Sequence, residues 1–239
     1  MKFVIIALTA AITLSSCQYF MGERIYGNGH IASKEMHVGS FAGIEAGGAI
    51  EVHVKQDATP SVKVESDENL VPYVDVYTEG NTLIIHPKKG FNLDPSRDII
   101  VYVSAPDFKS IEISGASKLI SDNAITPADQ LNITGSGASK ISIELNGGKL
   151  MGEVSGASTL NVKGQVRSLN MEASGASDIN GYDLVAEDAT LNASGASGVE
   201  ITVNKNLKAE ASGASHIHYK GNASVNQNTS GASSVSKEG

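Results

Sequence analysis

Ser114-Gly115-Ala116-Ser117 is the first of seven copies of one four-residue phrase. The others begin at Ser136, Ser155, Ser174, Ser194, Ser212 and Ser230, giving spacings of 22, 19, 19, 20, 18 and 18 residues. A phrase that recurs about every 20 residues marks a stacked repeat, because one such unit is too short to bury a core alone. The flanking residues say which kind. Five positions after the first Ser stand Leu119, Ile141, Leu160, Ile179, Val199, Ile217 and Val235; three before it stand Ile111, Ile133, Met171 and Leu191 among others. Apolar residues dominate odd offsets on both sides, which is strand periodicity and not helical periodicity. The same parity, carried through the phrase, places its Gly and its second Ser on the inward face. Stacked in register, successive repeats lie about 4.8 Å apart and pile equivalent residues into ladders. The fold expected is all-β: a parallel β-helix, right-handed, with 18–22 residues per coil. Its two serine columns are expected to bond each other or nearby backbone amides.

Composition agrees. Hydrophobic residues make up 41% of the 239, aromatics only 5%, with no Trp, so the core is aliphatic and narrow. The formal net charge is −8 and no basic run occurs, which excludes a nucleic-acid partner on the usual phosphate-binding grounds.

Before the repeats the chain divides into sections. Residues 1–16 carry Lys2 and then the apolar run Phe3 to Leu14, too short to span a bilayer, and read as a signal peptide. Leu14-Ser15-Ser16-Cys17 resembles a bacterial lipobox, which implies that Cys17, the single cysteine, becomes the lipid-carrying first residue. Gln18 is not the Asp of the inner-membrane retention rule, so the expected address is an outer-membrane, cell-envelope lipoprotein. Residues 17–35 read as a lipidated tether. Residues 36–106 alternate with period two at Ile50 to Val54 and Val62 to Val64, and show a hairpin signal at Glu79-Gly80-Asn81. This section is expected to be β-rich, continuous with the stack, and to cover one end. Asp67 to Pro72 reads as one short helical turn, Pro87 to Asp98 as a charged loop, and Ala46-Gly47-Gly48-Ala49 as a worn copy of the phrase. The repeats fill 107–236, with polar Gln227 and Thr229 in the last as an expected cap, and 237–239 is a tail.

The entry Phe41-x-x-Ile44, then Ile50-Glu51-Val52, Glu68-Asn69-Leu70, Leu83-Ile84-Ile85 and the recurring phrase together resemble the putative auto-transporter adhesin, head-GIN domain family, over about 38 to 222. The resemblance implies an exported bacterial protein, often a lipoprotein, with a β-helix-like fold and no catalytic residues to carry over. Members often place an acidic residue directly after the phrase; here only Asp178 stands there.

The β-helix architecture also hosts polysaccharide lyases and hydrolases, which need acids grouped on one face. In register, Asp178, Glu200, His216 and His218 converge over three coils, and a His-x-His pair beside a carboxylate is a candidate divalent-metal site. The same array read plainly is a solvated polar face. Lys118 and Lys140 stand at the other end of the outward columns. His30, His37, His53 and His86 read as scattered and unpaired. Gly135-Ser136-Gly137 belongs to the repeat and not to a nucleophile elbow, and no phosphate loop, dinucleotide fingerprint or calcium nonapeptide occurs. No cofactor is expected. The function expected is therefore a lipid-anchored, non-enzymatic binding or adhesion module for a glycan or protein. A carbohydrate-active enzyme and a self-associating structural component, hence a homo-oligomer, are the alternatives.

Overall fold

Each copy of the phrase turns the chain between two strands of one coil. In the first, Ser110–Ile113 runs in and Lys118–Ser121 runs out. The structure, a computed structural model, describes residues 22–239; the expected signal peptide and Cys17 lie outside the described residues. Strands before the phrase stack in parallel from Gly43–Ala46 through Ser110–Ile113, Gln130–Gly135 and Lys149–Val154 to Ser224–Thr229. Strands after it stack from Ile50–Gln56 through Lys118–Ser121 and Lys140–Asn146 to His216–Lys220 and Ser234–Lys237. The result is a β-solenoid of about seven turns, as the repeat predicts.

In the phrase, Gly has φ between +68° and +77°, the left-handed region that L side chains avoid. The following Ala donates its N–H to the Gly carbonyl one coil earlier, at 2.7–2.8 Å from Ala138 to Ala232. The corner is thus part of the sheet ladder. A Cβ at Gly156 would stand 2.5 Å from the Gly137 carbonyl oxygen, and at the phrase glycines after it the same distance is 2.6–2.8 Å. The expectation that this Gly faces inward is corrected: it and the Ala are both exposed, because the chain reverses there and alternation resumes only at the second Ser. That Ser does point inward, at most 2% exposed from Ser117 to Ser215. Its hydroxyl bonds carbonyls more than other serines or amides. Ser177 Oγ donates toward Val154 O (2.9 Å) and Ser174 O (2.8 Å), a pattern repeated at Ser197, Ser215 and Ser233. Only Ser139 bonds a fellow serine, Ser158, at 3.1 Å.

The predicted odd-offset ladder forms the core: Leu119, Ile141, Leu160, Ile179, Val199 and Ile217 are each at most 1% exposed. Where Gly152 interrupts the other ladder, the Met171 side chain fills the space that a Cβ there would need. The opposite corner is a loop in early coils. In Thr159–Ala173 it becomes a bend inside one strand, at Gly164 (φ +109°), where the register shifts.

The N-terminal section extends both sheets and changes their direction. Thr82–Pro87 pairs in parallel with Gly43–Ala46, and Val74–Glu79 then closes that sheet antiparallel; Ser61–Asp67 and Ile31–Glu35 do the same beyond Ile99–Ala105. The hairpin at Gly80 stands where predicted; the short helical turn, expected over Asp67 to Pro72, is a 3-10 turn at Val71–Tyr73, after a strand that runs to Asp67. Three expectations are corrected. Residues 22–35 are folded and not tether, because Glu23–Tyr26 pairs with Phe91–Asp94 and Asp67 anchors the intervening loop; the same pairing puts a strand inside the expected 87–98 loop. The worn phrase is displaced by one residue: Ala46 aligns with Ile113, so Gly47, Gly48, Ala49 and Ile50 occupy the four phrase positions. At the other end Gln227 and Thr229 are exposed where the preceding coil buries Ala209 and Ala211.

Asp67 is fully buried. Burial alone would push its carboxyl up, but the Ser96 hydroxyl (2.7 Å) and the N–H groups of Ser96 (2.9 Å) and Gly29 (2.6 Å) outweigh this and hold it below the usual Asp value.

Substituting Gly156→Ala should destabilise the chain by at least ~1–2 kcal/mol through its left-handed backbone alone, before any clash with Gly137. Its exposed neighbour Ala157→Ser should change stability by less than about 0.5 kcal/mol. Urea unfolding of both variants checks the contrast.

Candidate functional site

The outward side of the post-phrase sheet carries the residues singled out above. Asp178, Gly198 and His216 are register partners on successive strands, and so are Asn180, Glu200 and His218. Gly198 leaves a notch over which Asp178 Oδ1 and His216 Nε2 both lean, 2.9 and 2.7 Å from where a Cβ would be. The two imidazoles lie 5.2 Å apart, centre to centre. Among the described residues no three His, Cys, Asp or Glu side chains converge on one point. His218 Nδ1 is instead engaged by Ser236 Oγ (2.8 Å) and Glu238 Oε1 (3.0 Å). Further along, Asn180 Nδ2 donates to Asn161 Oδ1 (2.9 Å) in a short amide ladder.

Nearer the capped end, His53 is not unpaired as the sequence suggested. Its Nδ1 meets Asp122 Oδ1 at 2.8 Å and its Nε2 meets Glu51 Oε1 at 3.0 Å. Lys118 bridges the same Glu51 to Asp98, and Tyr102 lies against the ring at 5.3 Å. Burial alone would push the imidazole down; the hydrogen bonds to Asp122 and Glu51, and their charges, outweigh it and hold His53 above the usual histidine value. A signal existed, since Glu51 and His53 are two apart on one strand. The missing piece was the displaced alignment of the worn phrase, which brings Glu51 opposite Lys118 and Asp122 next to His53. His86 is likewise engaged, with its Nδ1 2.9 Å from the Pro87 carbonyl oxygen.

The other sheet carries a feature that a search of positions after the phrase could not meet. Two residues before the phrase, its outward column reads Glu45, Glu112, Thr134, Glu153, Glu172, Asn192, Glu210 and Asn228 in unbroken register. Its five glutamates are exposed. Glu45 faces Glu112 and Glu153 faces Glu172 directly across the ladder, an arrangement that lowers stability. Lys208 pairs with Glu210 at 2.8 Å at the far end. The face is open, with shallow hollows beside Glu153, Glu172 and Glu210, and its glutamates are exposed to water.

A family model described as putative auto-transporter adhesin, head GIN domain, matches residues 40–223. Solved structures share the fold. A putative adhesin from Bacteroides fragilis is 18% identical with a TM-score of 0.81, over 89% of this chain and 98% of that one. A putative lipid binding protein from Parabacteroides distasonis is 21% identical with a TM-score of 0.72, over 91% and 100%. A putative adhesin from the same organism is 22% identical with a TM-score of 0.74, over 90% and 100%. No match is found among the curated proteins.

In an NMR titration the His53 imidazole should titrate above 6.5, and Asp122→Asn should lower its midpoint. Because its folded value is raised, the stability it contributes should be fully present below about pH 6.5 and be lost as pH rises through that folded value. Unfolding of wild type and His53→Gln across pH 5–8 checks the sign.

Proposed function

The chain belongs to the putative auto-transporter adhesin, head GIN domain family, and we propose that it is a non-enzymatic adhesion module of the cell envelope that presents its acidic sheet to a glycan or protein. The observation that carries this reading is the column from Glu45 to Asn228. Like charges stacked opposite one another cost stability, and a fold built on strict local consistency keeps such a cost where a surface has work to do. Extended, open and regular, the face suits a partner engaged at many points along the solenoid axis. Glycoside hydrolysis instead needs two carboxyl groups flanking a bond, one of them with a raised pKa. The acids here stand in line on an open face.

The family is consistent with an exported or surface protein, and no helix among the described residues is long and apolar enough to cross a membrane. Attachment in this reading comes from a lipid on Cys17, supported by the lipobox-like Leu14-Ser15-Ser16-Cys17, and the address is the outer membrane.

Two experiments test this. Radiolabelled palmitate should enter the wild type and not Cys17→Ser, and only the wild type should sediment with membranes; equal labelling would sink the anchor. Glycan arrays and envelope pulldowns should yield a partner whose affinity falls with added salt. Glu153→Gln/Glu172→Gln should bind it less tightly by about tenfold while folding as stably as the parent or up to ~1 kcal/mol more so. A partner indifferent to that double substitution would place the working face elsewhere.

A further inference from the structure

The two-stranded pair of Glu23–Tyr26 and Phe91–Asp94 joins neither main sheet. It stands as a flap beside the capped end of the turn edge and leaves a cleft of about 750 Å³ between itself and the corners. Two other clefts on the surface are about 390 Å³ each, and small-molecule sites run roughly 300–1,000 Å³. The corner side is small by construction: Gly48, Ala49 and Ala116 occupy the Gly-Ala positions of the worn and first full phrases. The facing wall is apolar, with Phe91 and Leu93. Phe91 is set by an edge contact with Tyr73 at 4.7 Å between centres.

The mouth has the opposite character. Lys88 and Lys89 are exposed there, and neither has a carboxylate partner among the described residues. Asp98, the acid that also lines the cleft, is taken by Lys118 at 2.9 Å. On a chain of net charge −8, an apolar groove capped by two unpaired cations is complementary to one kind of molecule. We propose that this cleft binds a single-chain amphiphile with an anionic head, of the long-chain fatty acid class. The chain lies along the corners against Phe91 and Leu93, and the carboxylate meets Lys88 and Lys89. The described chain begins at the flap: Glu23 donates to the Gly90 carbonyl at 2.9 Å, six residues past Cys17. An acyl group on Cys17 is therefore the competing occupant. The site is separate from the acidic sheet, and its failure leaves the adhesion reading standing.

The test uses the mature full-length chain, lipidated and as Cys17→Ser, titrated with cis-parinaric acid and followed by fluorescence, with palmitate and hexadecanol as competitors. Saturable one-to-one micromolar binding to both forms is expected. Ala116→Phe should weaken it by at least about tenfold. Ala138→Phe, at the same corner position one coil along but outside the cleft, should leave it unchanged. Lys88→Glu/Lys89→Glu should weaken palmitate by about tenfold while hexadecanol competes as before. Absence of saturable binding, equal losses in the two Phe variants, or equal losses for acid and alcohol would each overturn the proposal. So would binding to Cys17→Ser alone, which would show the chain's own acyl group in the cleft.

Discussion

The backbone hydrogen bond from each phrase Ala to the Gly carbonyl one coil earlier is the contact on which the rest of the solenoid depends. It runs through a corner, where most folds let pairing lapse. Holding it requires a left-handed residue at every step and leaves no room for a side chain between successive corners. With the corner fixed in register, the strands on either side can only stack in register, and the aliphatic ladders follow. The buried second Ser adds a polar tie at the same place: the Ser177 hydroxyl reaches the Ser174 carbonyl within the turn and the Val154 carbonyl one coil earlier, which also accepts the Ser174 N–H.

A stack of this kind has two open ends. The two are handled by different physics. At the N-terminal end both sheets reverse to antiparallel strands, and a buried Asp67, bonded to Gly29 and Ser96, ties the entering chain to the cap. At the C-terminal end the last coil exchanges buried small apolar residues for exposed Gln227 and Thr229. Polar side chains and a terminal Lys237 make that edge a poor template for further strands.

The two outward faces differ in how they treat charge. Behind the phrase, Glu51, His53, Lys118 and Asp122 compensate one another within hydrogen-bond distance. Ahead of it, glutamates stand one above another with little compensation until Lys208. The first arrangement stabilises the fold. The second opposes it, and the proposed binding face rests on that opposition.

The seven phrases and the odd-offset aliphatic residues were enough, read as sequence, to determine the all-β solenoid, its coil length and the members of its core ladder, because a core one strand deep repeats the same local requirement in every coil. The capping role of 36–106 and its Gly80 hairpin were legible for the same local reasons. Positions that depend on how coils are aligned were not. Whether Ala46 or Gly47 opens the worn phrase is a one-residue matter invisible to composition, yet it decides that His53 meets Asp122. Asp178, Glu200, His216 and His218 could be assigned to one face from parity, but only the tertiary structure shows His218 engaged by Ser236 and Glu238 from the last coil. The flap of Glu23–Tyr26 on Phe91–Asp94 pairs segments almost 70 residues apart with no repeat to announce it. Local periodicity records what each strand does within its own coil; contacts between dissimilar segments are set by the closed tertiary structure alone.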